Sequence, residues 1–376
     1  MKKFTVFIIC IISALEFAAA AHAMDISAQH ACVIEANTGE VIFEKDAHTK
    51  HSMASTTKIM TALMAIEADC MDDIVTASRN AELQEGSSIY LETGDQFLMS
   101  DLIYGLMLNS GNDAAVAIAE HISGTVAQFA EDMTAKAKEF GAYNTSFKNP
   151  NGLDAKDHYT TAYDLAIITR KAMQNETFAR IVSTKTGKIT PLNRFETTYL
   201  SNHNRLLSMY EGVNGVKTGY TTATGRCLVS SVERDGMKFI AVTLNAPDDW
   251  KDHMKMFDYA FGACEKKPVI SGGAVIKTAK TADGEVYNAC AAEGFEISAL
   301  KGTMPEAEIS VKIAGGLKAP INKGEKIGIL DIGFRGDVLK SIDLVSDSDV
   351  AAKKDTHKKK NLLDYFNIIV HNWFMT

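Results

Sequence analysis

Ser55-Thr56-Thr57-Lys58-Ile59-Met60-Thr61-Ala62-Leu63-Met64-Ala65-Ile66 is the stretch on which the reading of the fold turns. Ile59, Met60, Leu63, Met64 and Ile66 recur at helical spacing, which predicts a helix starting near Ser55. Before it, Val33-Ile34 and Val41-Ile42-Phe43 flank the turn residues Asn37-Thr38-Gly39, so residues 31–43 read as a hairpin. After it the chain is mostly helical, most clearly over 102–108, 114–122 and 161–173. Strands return near Gly215. The β-rich runs 227–232 and 239–244 surround Asp235-Gly236, an antiparallel hairpin signal, and 251–261 reads as a helix. Two early strands and about three late ones therefore bracket a helical insert. One mixed sheet with helices on its faces satisfies both ends.

The flanks differ from this α/β body, which spans 24–264. Residues 1–23 carry Lys2 and Lys3, an apolar run and Ala21-His22-Ala23, the pattern of a cleaved export signal. Residues 265–345 are rich in Gly, Val, Ile and Lys. Turn signals at Asp283-Gly284, Gly315-Gly316 and Lys323-Gly324 predict a small all-β domain, a spacer or docking module. Residues 346–360 form a polar, lysine-rich linker. In 361–376, Leu362, Leu363, Phe366, Ile369, Val370, Trp373 and Phe374 share one helical face. With Lys353, Lys354, Lys358, Lys359 and Lys360 just ahead, this predicts an in-plane helix on a membrane surface.

The 376 residues are 46% hydrophobic and 23% charged, a globular balance. A net charge of −8 without a basic face argues against nucleic acid as a partner. Export would remove Cys10 and leave Cys32, Cys70, Cys227, Cys264 and Cys290. None has the spacing of a zinc or redox site, so they read mainly as small buried apolar residues.

Three elements carry chemistry. In Ser55-Thr56-Thr57-Lys58 one helical turn brings the Lys58 amine to the Ser55 hydroxyl. A serine hydroxyl needs such a base, and a lysine becomes one when desolvation or nearby positive charge lowers its pKa. Ser110-Gly111-Asn112 follows, between two helices. Its hydroxyl can relay a proton to a leaving group, and its amide can hold Lys58 and a substrate carbonyl. Lys217-Thr218-Gly219 enters a late strand. Lysine and threonine there suit a carboxylate, and glycine lets a substrate backbone lie along the strand edge. Each motif recurs by chance, as Ser298-x-x-Lys301, Ser78-Arg79-Asn80 and Lys185-Thr186-Gly187. Context separates the copies: Ser55 opens an apolar helix and Ser298 lies in the β-rich tail, while Lys217 leads into the late hairpin and Lys185 sits in a polar loop. Taken together, the three are the signature shared by class A β-lactamases and penicillin-binding proteins.

The wider sequence resembles the low-molecular-mass penicillin-binding proteins, the serine D-alanyl-D-alanine carboxypeptidases. The likeness runs through residues 54–63, 104–115, 149–153 with 158–162, and 215–221, and it extends to the β-rich region and the tail. It implies an antiparallel five-stranded sheet flanked by helices, a small β-sandwich and a C-terminal anchor. It also implies that Ser55 attacks the bond between the terminal D-alanines of a peptidoglycan stem peptide while Lys58 takes its proton. Ser110 then shuttles a proton to departing D-alanine. Asn112, Lys217, Thr218, Gly219 and Tyr220 bind the substrate. Lys217 and Thr218 hold its carboxylate, and the N–H groups of Ser55 and Tyr220 form the oxyanion hole. Penicillin would acylate Ser55, and neither metal nor cofactor is required. The expected place is the outer face of the cytoplasmic membrane. The alternatives are a DD-endopeptidase and a noncatalytic β-lactam-sensing wall protein. His158 is expected to make a structural hydrogen bond, and Asp113 and Asp164 to cap or pair within helices. No Glu-x-x-Leu-Asn stretch of the class A β-lactamase kind is present.

Overall fold

Alternation of side chains along five strands decides where the core sits. The computed structural model describes residues 24–352, apart from positions 305 and 335. The expected export segment and the expected C-terminal helix therefore lie outside the described residues. The strands stand in the order Val41–Lys45, His30–Glu35, Met237–Leu244, Gly225–Arg234, Val213–Thr221. All four pairings are antiparallel, so the sheet is not mixed. On one face Cys32, Ile34, Cys227, Val229, Ile240 and Val242 pack into the larger core with the helices Lys58–Glu67, Met99–Leu108, Asn112–Ser123 and Ala162–Met173. On the other, Ala31, Val33, Phe239 and Ala241 meet Met256, Phe257 and Ala260 of the helix Asp249–Ala263. Successive residues of one strand thus serve opposite cores, as a pleated strand requires.

The turn between the last two sheet strands follows its sequence. Arg234 pairs with Met237, and Asp235 (φ 52°) and Gly236 (φ 77°) form the two-residue loop. Left-handed backbone at both positions suits the right-handed twist of the flanking strands. The helix Asp249–Ala263 runs straight into the strand Cys264–Ile270, which begins the second domain. There a five-stranded antiparallel sheet and the pair formed by Cys264–Ile270 and Phe295–Leu300 enclose Ile297, Leu330, Ile332, Ile342 and Leu344. This domain continues past residue 345. Ser346 still belongs to the strand Asp337–Ser346, and Val350 pairs with Ile321, so the start of the expected linker is hydrogen-bonded structure. Between the two bodies, the Asp337 carboxylate receives Arg170 at 2.9 Å and also Lys171.

Two other expectations change. Lys185-Thr186-Gly187 does not lie in a loop: Thr186–Ile189 is a strand paired with Thr198–Ser201. Its polar composition hides the hairpin, since only Ile189 and Leu200 of the two strands are buried. Lys217 lies inside the strand Val213–Thr221 rather than at its entrance. The five cysteines of the described residues are free thiols, four of them buried.

The inner core holds His253 between Ser230 Oγ and Thr243 Oγ1, the latter at 3.0 Å. Burial lowers its pKa to about 3, and that of His158 to about 4. Both stay neutral in the folded protein while the unfolded chain takes up protons below about pH 6.5. Their contribution is intact above that value and lost as pH falls, by about 2 kcal/mol each at pH 5. Denaturant midpoints should therefore drop between pH 7 and pH 5, and the drop should be shallower in His253→Leu. Equal slopes would contradict this.

Candidate active site

The peptide just before Lys58 is not yet α-helix. Ala54–Thr57 form a 3-10 turn, and the α-helix proper is Lys58–Glu67. Ala54 has φ 47°, a left-handed backbone unusual for a residue with a Cβ. The turn is fixed by Thr56 Oγ1 donating to Met53 O at 2.6 Å. Ser55 is thus presented on a tight turn in front of a helix whose residues 58–63 are all buried.

Lys58 has no exposure to solvent. Its Nζ lies 2.9 Å from Ser55 Oγ, 2.7 Å from Asn112 Oδ1 and 2.6 Å from Asn151 O. The Asn112 amide is oriented by its Nδ2, which donates to Glu85 O. Burial, and then the nearby charge of Lys217, hold the Lys58 pKa well below the ordinary lysine value, against an opposing pull from Asp113. All three partners can accept from the amine, so it is burial that favours its neutral form. Asn112 Oδ1 and Asn151 O are acceptors only. A neutral amine gives them its two N–H bonds and turns its lone pair toward Ser55, whose hydroxyl can donate.

Asn151 belongs to a loop that holds itself together. Gly152 N donates to Asn149 Oδ1 at 2.7 Å, Asn149 Nδ2 to Leu153 O at 2.9 Å, and Asn151 Nδ2 to Gln84 Oε1 at 2.9 Å. Thr61 Oγ1 binds Pro150 O at 2.6 Å, which docks the loop on the helix. His158 ties its far end. Nδ1 accepts from Lys148 N at 3.0 Å, leaving Nε2–H to donate to Thr57 Oγ1 at 2.8 Å. Its bonds hold backbone and helix together, and it is buried.

Ser110 is also left-handed (φ 63°), between the helices ending at Leu108 and starting at Asn112. Non-glycine residues in this conformation store strain that the surroundings must enforce. Asp113, expected to act within its helix, mostly binds elsewhere: its carboxylate takes Ser88 Oγ, Ile89 N and Leu91 N, fixing the segment beside Ser87. Asp164 likewise accepts from Asn144 N at 2.6 Å and Thr145 Oγ1 at 2.9 Å. Gly219 lies against the nucleophile turn. A Cβ there would sit 3.1 Å from Ser55 N and Thr56 N.

A cavity of about 310 Å³ is lined by Ser55, Ser87, Ser110, His203, Thr218, Gly219, Tyr220, Arg226, Asp249 and Trp250. Ser55, Lys58 and Asn112 are therefore joined by hydrogen bonds, while Ser110, Thr218, Gly219 and Tyr220 face the same space as Ser55. Lys217 stands apart. It is 1% exposed, its Nζ donates to Thr218 O at 3.0 Å, and burial lowers its pKa to about 7. It is not among the residues that line this cavity. The likeness over 149–153 covers Asn151 and Gly152 without giving them roles, and no motif marks Ser87, His203, Arg226, Asp249 or Trp250. An Asn-Gly pair marks a turn, yet nothing in it tells which side chain the turn will meet.

Gly152 (φ 88°) carries a direct test. A Cβ at this position would fall 2.0 Å from Ala54 O and 2.9 Å from Ser55 N. Gly152→Ala should push the turn outward. A shift of about 1 Å at a reacting group slows reaction by about 100-fold, so acylation of Ser55 by a fluorescent penicillin should slow on that scale. Unchanged labelling kinetics would contradict the close approach.

Comparisons with known proteins agree with this geometry. Residues 17–248 match the D-alanyl-D-alanine carboxypeptidase family, and residues 265–352 match the penicillin-binding protein 5 C-terminal domain. The D-alanyl-D-alanine carboxypeptidase DacF of Bacillus subtilis is 35% identical over 357 residues, 92% of this chain and 90% of the relative. Penicillin binding protein 5 of Haemophilus influenzae superposes with a TM-score of 0.64 at 29% identity, over 87% of this chain and 98% of that one. A serine-to-alanine mutant of the Streptomyces K15 DD-transpeptidase does so with a TM-score of 0.61 at 32% identity, over 63% and 98%. The match over residues 17–248, together with 35% identity across 92% of the chain, places the protein in the D-alanyl-D-alanine carboxypeptidase family.

Proposed function

We propose that this chain removes the terminal D-alanine from peptidoglycan stem pentapeptides, through an acyl-enzyme on Ser55. The observation that carries the reading is the Lys58 amine, buried and bonded to two carbonyl oxygens, 2.9 Å from the Ser55 hydroxyl.

The chemistry runs in two halves. Ser55 Oγ attacks the carbonyl carbon of the penultimate D-alanine as its proton passes to Lys58 Nζ. The oxyanion receives hydrogen bonds from the N–H groups of Ser55 and Tyr220, the kind of preorganised donors that contribute most to such reactions. The C–N bond then breaks, and the proton held by Lys58 travels through Ser110 Oγ to the departing amine. Lys58, neutral again, takes a proton from the water that attacks the ester. That proton returns to Ser55, and the shortened stem leaves as its acid. Asn112 orients Lys58, and Lys217 acts on it through charge. Thr218, Gly219 and Tyr220 line the substrate's path. A β-lactam would acylate the same hydroxyl.

Members of this family act on the cell wall, outside the cytoplasm. The reading adds that residues 1–23 direct export, that 24–264 hold the catalytic site with a β domain behind them, and that 361–376 rest on the outer face of the cytoplasmic membrane. Among the described residues no helix is long and apolar enough to cross a membrane.

A synthetic pentapeptide ending in D-Ala-D-Ala should yield free D-alanine with the wild-type protein and none with Ser55→Ala. Lys58→Met should lower the rate by about 10²–10⁴-fold, the scale of a lost general base. D-Alanine release that survives Ser55→Ala would overturn the mechanism. Deleting 361–376 should move an active enzyme from the membrane fraction to the soluble one, and retention in the membrane fraction would contradict the anchor.

A further inference from the structure

The cleft contains a cation that the steps above leave idle. Arg226 stands opposite Tyr220 in the pairing of Val213–Thr221 with Gly225–Arg234, and it lines the same cavity as Ser55 and Thr218. Its side chain is 42% exposed, whereas its partner Asp249 is 2% exposed. Arg226 Nη2 donates to Asp249 Oδ1 at 2.8 Å, and Trp250 lies 5.6 Å from the guanidinium carbon. The Asp249 carboxylate also accepts from Trp250 N at 2.9 Å. A guanidinium has five N–H donors in one plane, and this clamp engages one of them.

Lys217, in the neighbouring strand, does not line this cavity. Its amine is enclosed and committed to Thr218 O. Arginine stays charged at every pH a protein tolerates, and its planar fork matches a carboxylate. Held by a buried carboxylate and an indole, the fork needs little ordering when a ligand arrives.

We propose that Arg226, positioned by Asp249 and Trp250, receives the C-terminal carboxylate of the departing D-amino acid and so makes the site select a free chain end over an interior peptide bond. This rests on the carboxypeptidase reading above. It separates an exopeptidase from an enzyme that cuts crosslinks, because an interior bond offers no terminal carboxylate to the fork.

The test uses two substrates, an acyl-D-Ala-D-Ala acid and its C-terminal carboxamide, and follows release of D-alanine or D-alaninamide. Wild type should prefer the acid. In Arg226→Gln the acid-to-amide ratio of kcat/KM should fall by about 10- to 100-fold, the range of a lost charge-assisted hydrogen bond. Arg226→Lys should recover part of it. Arg226→Gln leaves Asp249 buried without its partner, so the double variant Arg226→Gln/Asp249→Asn guards against misfolding and should show the same fall. General damage lowers both substrates together and preserves the ratio, and a preserved ratio in either variant overturns the assignment. If wild type releases product from neither substrate, the carboxypeptidase reading itself fails and takes the assignment with it.

Discussion

A lysine amine without access to water is the constraint on which this structure depends. An isolated buried ammonium is expensive, and a protein escapes the expense by letting the group lose its proton. Lys58 sits on a helix enclosed on all sides, with Lys217 near enough to oppose its charge. Two carbonyl oxygens, one from Asn112 and one from the backbone of Asn151, define the directions in which its hydrogens point. The remaining direction holds Ser55. The basicity of the amine and its aim therefore come from the same burial.

That arrangement explains features that stability alone would not select. Ala54, just before Ser55, and Ser110 itself both adopt left-handed backbone, and both serines face the cleft. Gly152 and Gly219 approach the nucleophile turn so closely that a side chain at Gly152 would overlap backbone atoms. Backbone from 149–153 supports one side of the turn and the edge strand of the sheet supports the other. Asp113 and His158 brace the flanking segments, so the polar groups behind the site are largely bonded to each other. The surrounding fold maintains this strained turn, which fits the general conflict between active-site geometry and stability.

Much of this was legible in the sequence, for physical reasons. Strand and helix periods differ, so the switch near Ser55 separated the hairpin from the buried helix, and Asp235-Gly236 announced the late turn. Ser55 and Lys58 are one turn apart, a local relation that spacing captures. Nonlocal relations were less visible. The polar strand at Thr186–Ile189 lacked an apolar pattern, and the β domain's closing contact at Val350 lay in a stretch that looked like linker. Lys217 was expected to meet substrate, but its depth depends on packing that no motif encodes. Arg226 and Asp249 are 23 positions apart and meet only because the last strand brings the chain back across the sheet.

Direct titration of the Lys58 side-chain nitrogen, by NMR on protein labelled with ¹⁵N-lysine and assigned with Lys58→Met, tests the central claim. The account predicts a signal of an uncharged amine at neutral pH, absent from the variant and titrating far below the exposed lysines. A Lys58 signal that remains an ammonium up to the ordinary lysine range, about pH 10, would contradict it.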